Sequence, residues 1–394
     1  MIANTATPVL VLGGKENSLS LARHLGRAGV TVRVCGPDNC WGRYSRHCAE
    51  SIGIPSGTAM AAYLDTLLLG PASARLHGHI LIACSDDAIE FVSRNHNALT
   101  KDYILGEFDP VMQLALLDKQ RTLEMAREAG VGAPNFWTVT RETDLETIRA
   151  DVMFPVMVKP IHSHRFAKVF GRKLFIIENS FDELKDKVAL AHRNGLDVMV
   201  VEMVPGPDDL LSSYYTYVTS SGASLFGFTK RILRRYPVNR GNACYHETQW
   251  LPETAAEGAK FFAACGFRGL GNIEFKRDLR DGKLKIIEVN ARFTAAQELV
   301  ARAGAPIDQI VYCHLTGQPA PAFSAYRQGL RFWYPLRDFC AFLALRKRGE
   351  LSLLGWLKSV APFNHVSPLF DWRDPLPALG AAWANAKRVV HGQG

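Results

Sequence analysis

Several features are missing from this 394-residue chain, and each absence removes a class of function. Cysteine occurs eight times, at 35, 40, 48, 84, 244, 265, 313 and 340, but never as a Cys-x-x-Cys pair. That spacing indicates neither a zinc site nor a disulfide framework, and it suits a reducing compartment. No apolar run approaches the roughly 20 residues that a membrane-spanning helix needs. The first residues pass from a short polar stretch directly into a strand, which is not the pattern of a signal peptide. The expected location is therefore cytoplasmic. The turn after the first strand, Gly13-Gly14-Lys15-Glu16-Asn17, lacks the Gly-x-Gly-x-x-Gly fingerprint, which argues against a nicotinamide or flavin enzyme. No nucleic-acid-binding motif is found, and no Ser/His or Cys/His constellation suggests a covalent nucleophile.

What is present is an ordinary globular composition, 47% hydrophobic and 21% charged, long enough for two or three domains. The net charge of +8 is unevenly placed. From Arg331 onward nine Lys/Arg face four Asp/Glu, so about +5 lies in the last sixth of the chain, among Trp333, Trp356, Trp372 and Trp383. Such a tail suits packing against the main body, an acidic or surface-polymer partner, or peripheral membrane contact. Gly317 to Pro321 reads as a linker before it.

In chain order, Pro8 to Leu12, a helix over 18–28 and Val30 to Val34 form a βαβ unit. A buried-type strand from His79 to Cys84 ends in Ser85-Asp86-Asp87. Polar groups there either line a ligand crevice or simply cap the next helix. Phe154 to Lys159 is a strand whose terminal lysine needs an anion near its tip, and a phosphate fits. The basic segment Ile161 to Arg172 reads as a phosphate-covering loop or as a solvated turn. Asp197 to Val204 is a strongly apolar strand carrying Glu202, Met203 and Val204 into a Pro-Gly turn, where Asp208 or Asp209 could bind hydroxyls. A hairpin through Ser220 to Gly222 is followed by Arg231, Arg234, Arg235 and Arg240, more cations than a solvated face requires. Arg231 and Arg240, with Ser85 and Asp86, are candidate substrate contacts.

The most informative stretch is Gly271 to Arg292, two strands joined near Asp281-Gly282. Glu288 and Asn290 are two apart and share a face. A connection with an odd number of residues places Glu274 directly opposite Glu288; an even number without a bulge does not. Opposed carboxylates repel unless a cation lies between them, and Mg²⁺ prefers such oxygen ligands. Arg292, at the turn into the next helix, would face an anion. The alternative is an exposed hairpin with surface charges.

Taken together, Lys119, the strand ending in Lys159, the Glu202–Gly206 turn, and Glu274 with Glu288, Asn290 and Arg292 resemble the ATP-grasp superfamily, over residues 5–318. Within it the pattern is similar to the carboxylate–amine ligase branch that includes D-aspartate ligases. The chain departs from the usual family pattern in two places. The loop after Lys159 has His and Arg where the family has a Gly/Ser-rich run, and Ala291 stands where proline is frequent. The resemblance implies a fold of mixed α/β and α+β class. Residues 1–111 would form a Rossmann-like N-terminal domain and 112–318 a two-lobed ATP-grasp domain, with lobes of about 112–204 and 205–318. A basic, Trp-rich helical extension over 319–394 would follow.

The resemblance also implies roles. Lys119 and Lys159 would bind ATP phosphates, Glu202, Met203 and Val204 adenine, and Asp208 ribose. Glu274, Glu288 and Asn290 would hold Mg²⁺, as two ions, or Mn²⁺. Arg234 and Arg292 would act on the γ-phosphate and an acyl phosphate. The implied reaction joins a small-molecule carboxylate to an amine with release of ADP and phosphate, in a chain that could form a homo-oligomer and binds no nucleic acid. A different class of function, a non-catalytic ATP-binding protein whose tail docks a partner or membrane, leaves the full carboxylate set unexplained.

Overall fold

The computed structural model describes residues 2–390, apart from 142–143, 162–165, 167–168, 172–173 and 363, with the side chains of 383 and 385–390 also outside the description. Most of the basic 161–172 segment therefore lies outside the described residues.

Three sheets organise the described residues. The first is parallel, in the order β3-β2-β1-β4, from β1 (Val9–Leu12), β2 (Val32–Gly36), β3 (Cys48–Gly53) and β4 (Ile80–Ala83). Its central strand Val-Leu-Val-Leu has no exposed residue, as expected of a strand covered on both faces. The second sheet is antiparallel, β5-β8-β6-β7, from β5 (Phe136–Val139), β6 (Val156–Pro160), β7 (Phe175–Ile177) and β8 (Val198–Glu202).

The third sheet has seven strands, in the order β13-β12-β9-β10-β11-β14-β15. They are β9 (Leu211–Val218), β10 (Ser224–Tyr236), β11 (Asn242–Thr248), β12 (Gly269–Arg277), β13 (Leu284–Asn290), β14 (Arg331–Trp333) and β15 (His365–Val366). One face of β12 carries Gly271, Ile273 and Phe275 onto Phe261, Phe262 and Phe267, at and just beyond the helix Pro252–Ala264. Gly271 has to be glycine there, because a Cβ would sit 2.6 Å from the Phe262 ring. With that face committed to the core, alternation turns Asn272, Glu274 and Lys276 the other way.

The last fifth of the chain differs from the expected appended, helical extension. β14 completes the large sheet by pairing with β11, Tyr245 opposite Trp333 and Glu247 opposite Arg331. The helix Pro335–Lys347 buries Asp338, which accepts from Arg234, Trp333 Nε1 and Trp356 Nε1 at 2.6–3.0 Å. Trp333 and Trp356 are thus anchored inward. The outer side of that helix and the next, Leu353–Val360, leaves Leu336, Phe339, Leu343, Leu354 and Leu357 exposed. Among the described residues no helix is long and apolar enough to cross a membrane.

The tail also reaches back to the first sheet. Arg23, on the helix Glu16–Arg27, is fully buried and donates from Nε to Asp374 Oδ2 at 2.9 Å and from Nη2 to the Leu369 and Asp374 carbonyls. Asp374 also accepts from Ser45 Oγ and the Arg46 amide. The next residue, His24, lies between Glu298 (3.4 Å) and Asp308 (3.2 Å). Burial alone would lower the His24 pKa, but the two carboxylates outweigh it and lift it to about 9.

His24 yields a pH prediction. Between its ordinary pKa of 6.5 and about 9, the folded chain holds a proton that the unfolded chain has released. The histidine's stabilising contribution is complete below pH 6.5 and is lost as pH rises through about 9. Urea denaturation of wild type and His24→Gln should therefore show a stability difference that shrinks by about 3 kcal/mol across this window. A constant difference from pH 6 to 9.5 would remove His24 from this role.

Candidate functional site

The side of the large sheet turned away from the Pro252–Ala264 helix carries a row of polar groups. Glu274 lies directly opposite Glu288 and, on its other side, opposite Ser213; Ser213 in turn lies opposite Lys230. Four strands thus place Glu288, Glu274, Ser213 and Lys230 side by side. Two residues along, Asn290, Asn272 and Tyr215 form a parallel row. The connection that produces this register differs from the odd-numbered loop considered above. Arg277 pairs with Leu284, which leaves six residues in the loop, and a bulge at Ile287 restores the parity.

The row sets two carboxylates against one lysine, closely placed. Burial raises the Glu274 pKa and Glu288 adds to that, while Lys230, Arg235 and Arg292 oppose it. Lys230 is itself only 1% exposed, and burial lowers its pKa against the pull of Glu274. Several buried polar atoms nearby have no hydrogen-bond partner: Ser213 Oγ, Asn272 Oδ1 and Tyr215 Oη. Such groups are costly to leave unsatisfied and point to an occupant.

Lys159, at the end of β6, faces the same row from the second sheet. Burial lowers its pKa to about 8, with Lys119 and Arg235 pushing the same way and Glu288 opposing them. Lys119 opens the helix Lys119–Glu128, whose N-cap is Asp118. The structure thus brings Lys159 into electrostatic range of Lys119, Glu288 and Arg235, and Glu274 into range of Lys230, Glu288, Arg235 and Arg292. A cluster of cations facing two carboxylates is chemically suited to a phosphate chain with a bound divalent cation. The fit to Mg²⁺ rests on hard oxygen donors at Glu274, Glu288 and Asn290, beside the orphaned amide oxygen of Asn272. Among the described residues no group of three or more His, Cys, Asp or Glu side chains gathers, and a set of two carboxylates with an amide falls outside that description.

Other expected site residues are engaged differently. In a regular strand Arg234 would share a face with Lys230 and Ile232, but a bulge at Leu233 turns it to the opposite face. There it forms a two-pronged pair with Asp338, donates to Ser359 Oγ and stacks over Tyr245 at 4.4 Å. Arg235 takes the place toward the site. The Asp208 carboxylate accepts from Arg235 Nε (2.8 Å) and from the Asn239 amide (3.1 Å). Glu202, 3% exposed, accepts from Arg280 and from the Asn135 amide. The Met203 amide donates to Pro155, and the Val204 and Gly206 carbonyls accept from Lys276.

The low-ranking substrate candidates divide as well. Arg231 lies on the face opposite Lys230, in register with Glu247 and with Ser212, which bonds Thr254 of the core-side helix. Arg240 is exposed in the turn after β10. Neither reaches the Glu274 row. Ser85 is the N-cap of the helix Asp86–Arg94, accepting from the Ala88 amide at 3.3 Å. Asp86 accepts from Arg292 Nε at 2.8 Å, which ties the end of β13 to the first sheet. Lys230, Ser213, Tyr215, Asn272 and Arg235 were missed. Counting the period of two outward from Glu274 across the adjoining hairpin would have reached the first four, whereas Arg235 depends on the bulge.

The reassignment of Arg234 generates a stability prediction. Removing one partner of a buried ion pair strands the other, at a cost of about 3–5 kcal/mol. Asp338→Ala should lose that much in urea denaturation, and the double variant Arg234→Met/Asp338→Leu should recover most of it. Two variants of equal stability would contradict the pairing as a structural lock.

With this geometry in hand, comparison with known proteins is informative. No family model matches the chain. It is 24% identical to a D-aspartate ligase of Enterococcus faecium (strain Aus0004) over 298 residues, 72% of this chain and 70% of that one. Its fold matches the biotin carboxylase domain of Hydrogenobacter thermophilus 2-oxoglutarate carboxylase, solved with MgADP, with a TM-score of 0.63 and 16% identity over 82% of this chain and 73% of that one. It also matches the L-amino acid ligase of Bacillus licheniformis, with a TM-score of 0.57 and 15% identity over 79% and 75%. In sequence and in fold the chain is thus similar to ATP-grasp ligases, carboxylate–amine ligases among them.

Proposed function

We propose that the chain is an ADP-forming ligase that activates a carboxylate as an acyl phosphate and joins it to an amine. The observation that carries this is the in-register row Glu288, Glu274, Ser213 and Lys230, with Lys159 opposite and Arg292 at the strand end. A carboxylate is a poor electrophile, and phosphoryl transfer from ATP converts it into one that an amine can attack. The protein's part is positioning and charge. Lys119 and Lys159 would bind the ATP phosphates, while the Glu202–Val204 strand end would border the adenine. Glu274, Glu288 and Asn290 would hold Mg²⁺, which when bound neutralises charge on the transferred phosphoryl group. Lys230 and Arg292 would face the charge that develops as the acyl phosphate forms and breaks. Asp208 would act through Arg235, fixing its guanidinium toward the phosphates. Residues 1–111 and 112–318 would act as the substrate-side and nucleotide-side units, with the tail strands closing the large sheet.

Incubated with Mg-ATP, a carboxylate panel and an amine panel, the purified chain should release ADP and phosphate in equal amounts only when both substrates are present. AMP as product, or nucleotide turnover independent of the amine, would falsify the ligase assignment. Glu288→Ala should lower turnover about a thousandfold with an unchanged circular dichroism spectrum.

Lys159 supplies a separate readout. Phosphates favour its charged form, so its pKa, about 8 in the free chain, should rise on nucleotide binding. Binding of Mg-ATP at pH 9 should therefore take up a proton, seen as a dependence of calorimetric enthalpy on buffer ionisation. Lys159→Met should abolish that uptake and weaken binding.

A further inference from the structure

A cleft of about 80 Å³, partly open to solvent, lies between the first sheet and the large sheet. At about 10–15 Å³ per water, that space holds roughly six waters, enough for a short-chain acid. Its walls are mainly apolar: Leu81, Ile89 and Val92 from the first sheet and its helix, Leu270 from β12, and Val311 and Leu315 from the helix Ile307–Leu315. Arg292 lines it, two residues from Asn290. Ser93 and Gln113 also line it, each 5% exposed. Ser93 Oγ and Gln113 Oε1 have no hydrogen-bond partner.

Resting on the ligase reading, we propose that this cleft is the specificity pocket for the carboxylate substrate, whose carboxyl group sits at Arg292. Its chain runs along the apolar wall and ends in a hydrogen-bond donor, a hydroxyl or an amine, that meets Gln113 Oε1 and Ser93 Oγ. The chemistry selects this class. Apolar walls favour methylenes over a second charge, since a carboxylate buried there would lack a cation. A buried acceptor such as Gln113 Oε1 rewards a donor and penalises a methyl group. Asp86, which holds Arg292 Nε, fixes the guanidinium where the pocket meets the phosphate end of the site. The substrate is thus read at its far end by residues of the first sheet's helices, while the second and third sheets handle its activation.

The test compares pentanoate with 5-hydroxypentanoate by isothermal titration calorimetry on the full chain, each without and with Mg²⁺ and a non-hydrolysable ATP analogue. The hydroxylated acid should bind about tenfold more tightly. Gln113→Leu should bring the two within about twofold, and Ser93→Ala should narrow the gap part-way, with melting temperatures confirming that both variants fold. Nucleotide binding alone should be unchanged in both. Failure of either acid to bind in any condition, or a tenfold preference that survives Gln113→Leu, overturns the pocket. The ligase reading fails separately. If the binding preference behaves as stated but no amine elicits ADP release, the pocket stands and the chemistry falls. If ADP release occurs and the variants leave the KM ratio of the two acids unmoved, the chemistry stands and the pocket falls.

Discussion

Two carboxylates held directly opposite each other on neighbouring antiparallel strands repel, and the rest of this structure is arranged around that repulsion. Glu274 and Glu288 are brought into register by a single extra residue, Ile287, in β13. Nothing in the core requires them to face one another, since the opposite side of β12 supplies the packing through Ile273 and Phe275. Around them the chain gathers cations from three directions: Lys230 on β10, Lys159 from the second sheet, and Arg292 at the end of β13. A surface that concentrates both signs this closely, with orphaned amide and hydroxyl groups between them, is organised for a polyanion carrying its own cation.

The parts of the site that local pattern determines were legible in the chain itself. Period-two alternation puts Glu288 and Asn290 on one face, and the apolar strand carries Lys159 at its end into range of Glu288. What could not be read is whatever depends on a bulge or on a distant partner. The loop between β12 and β13 has even length, so parity alone would have turned Glu274 away from Glu288; only the irregularity at Ile287 brings it back. The same mechanism misled in β10, where a bulge at Leu233 exchanges the faces of Arg234 and Arg235. A bulge is a local conformational choice with little sequence signature, and its consequence is complete, because each later side chain changes sides.

The fold shows a similar division. The parallel sheet and the antiparallel hairpins follow from runs such as Val9–Leu12 and Leu211–Val218, where β-branched and aromatic residues alternate with turn signals. The integration of the tail was not visible, because it is fixed by pairs far apart in the chain: Arg234 with Asp338, Arg23 with Asp374, and the β11–β14 ladder. Composition suggested that the tail packs against the main body, as it does, but not which residues lock it there. The indole nitrogens of Trp333 and Trp356 are spent on one buried carboxylate, Asp338, not on an interface with lipid.

The Arg23–Asp374 pair has a consequence for the order of events during synthesis. A ribosome delivers Arg23 about 350 residues before its partner, so the first sheet emerges with a cation destined for full burial and nothing to neutralise it. The helix Glu16–Arg27 can dock on its sheet early, but only with that side chain still reaching for water. Closure of the N-terminal unit therefore waits on the Leu369–Asp374 segment, which is translated long after the helix it completes.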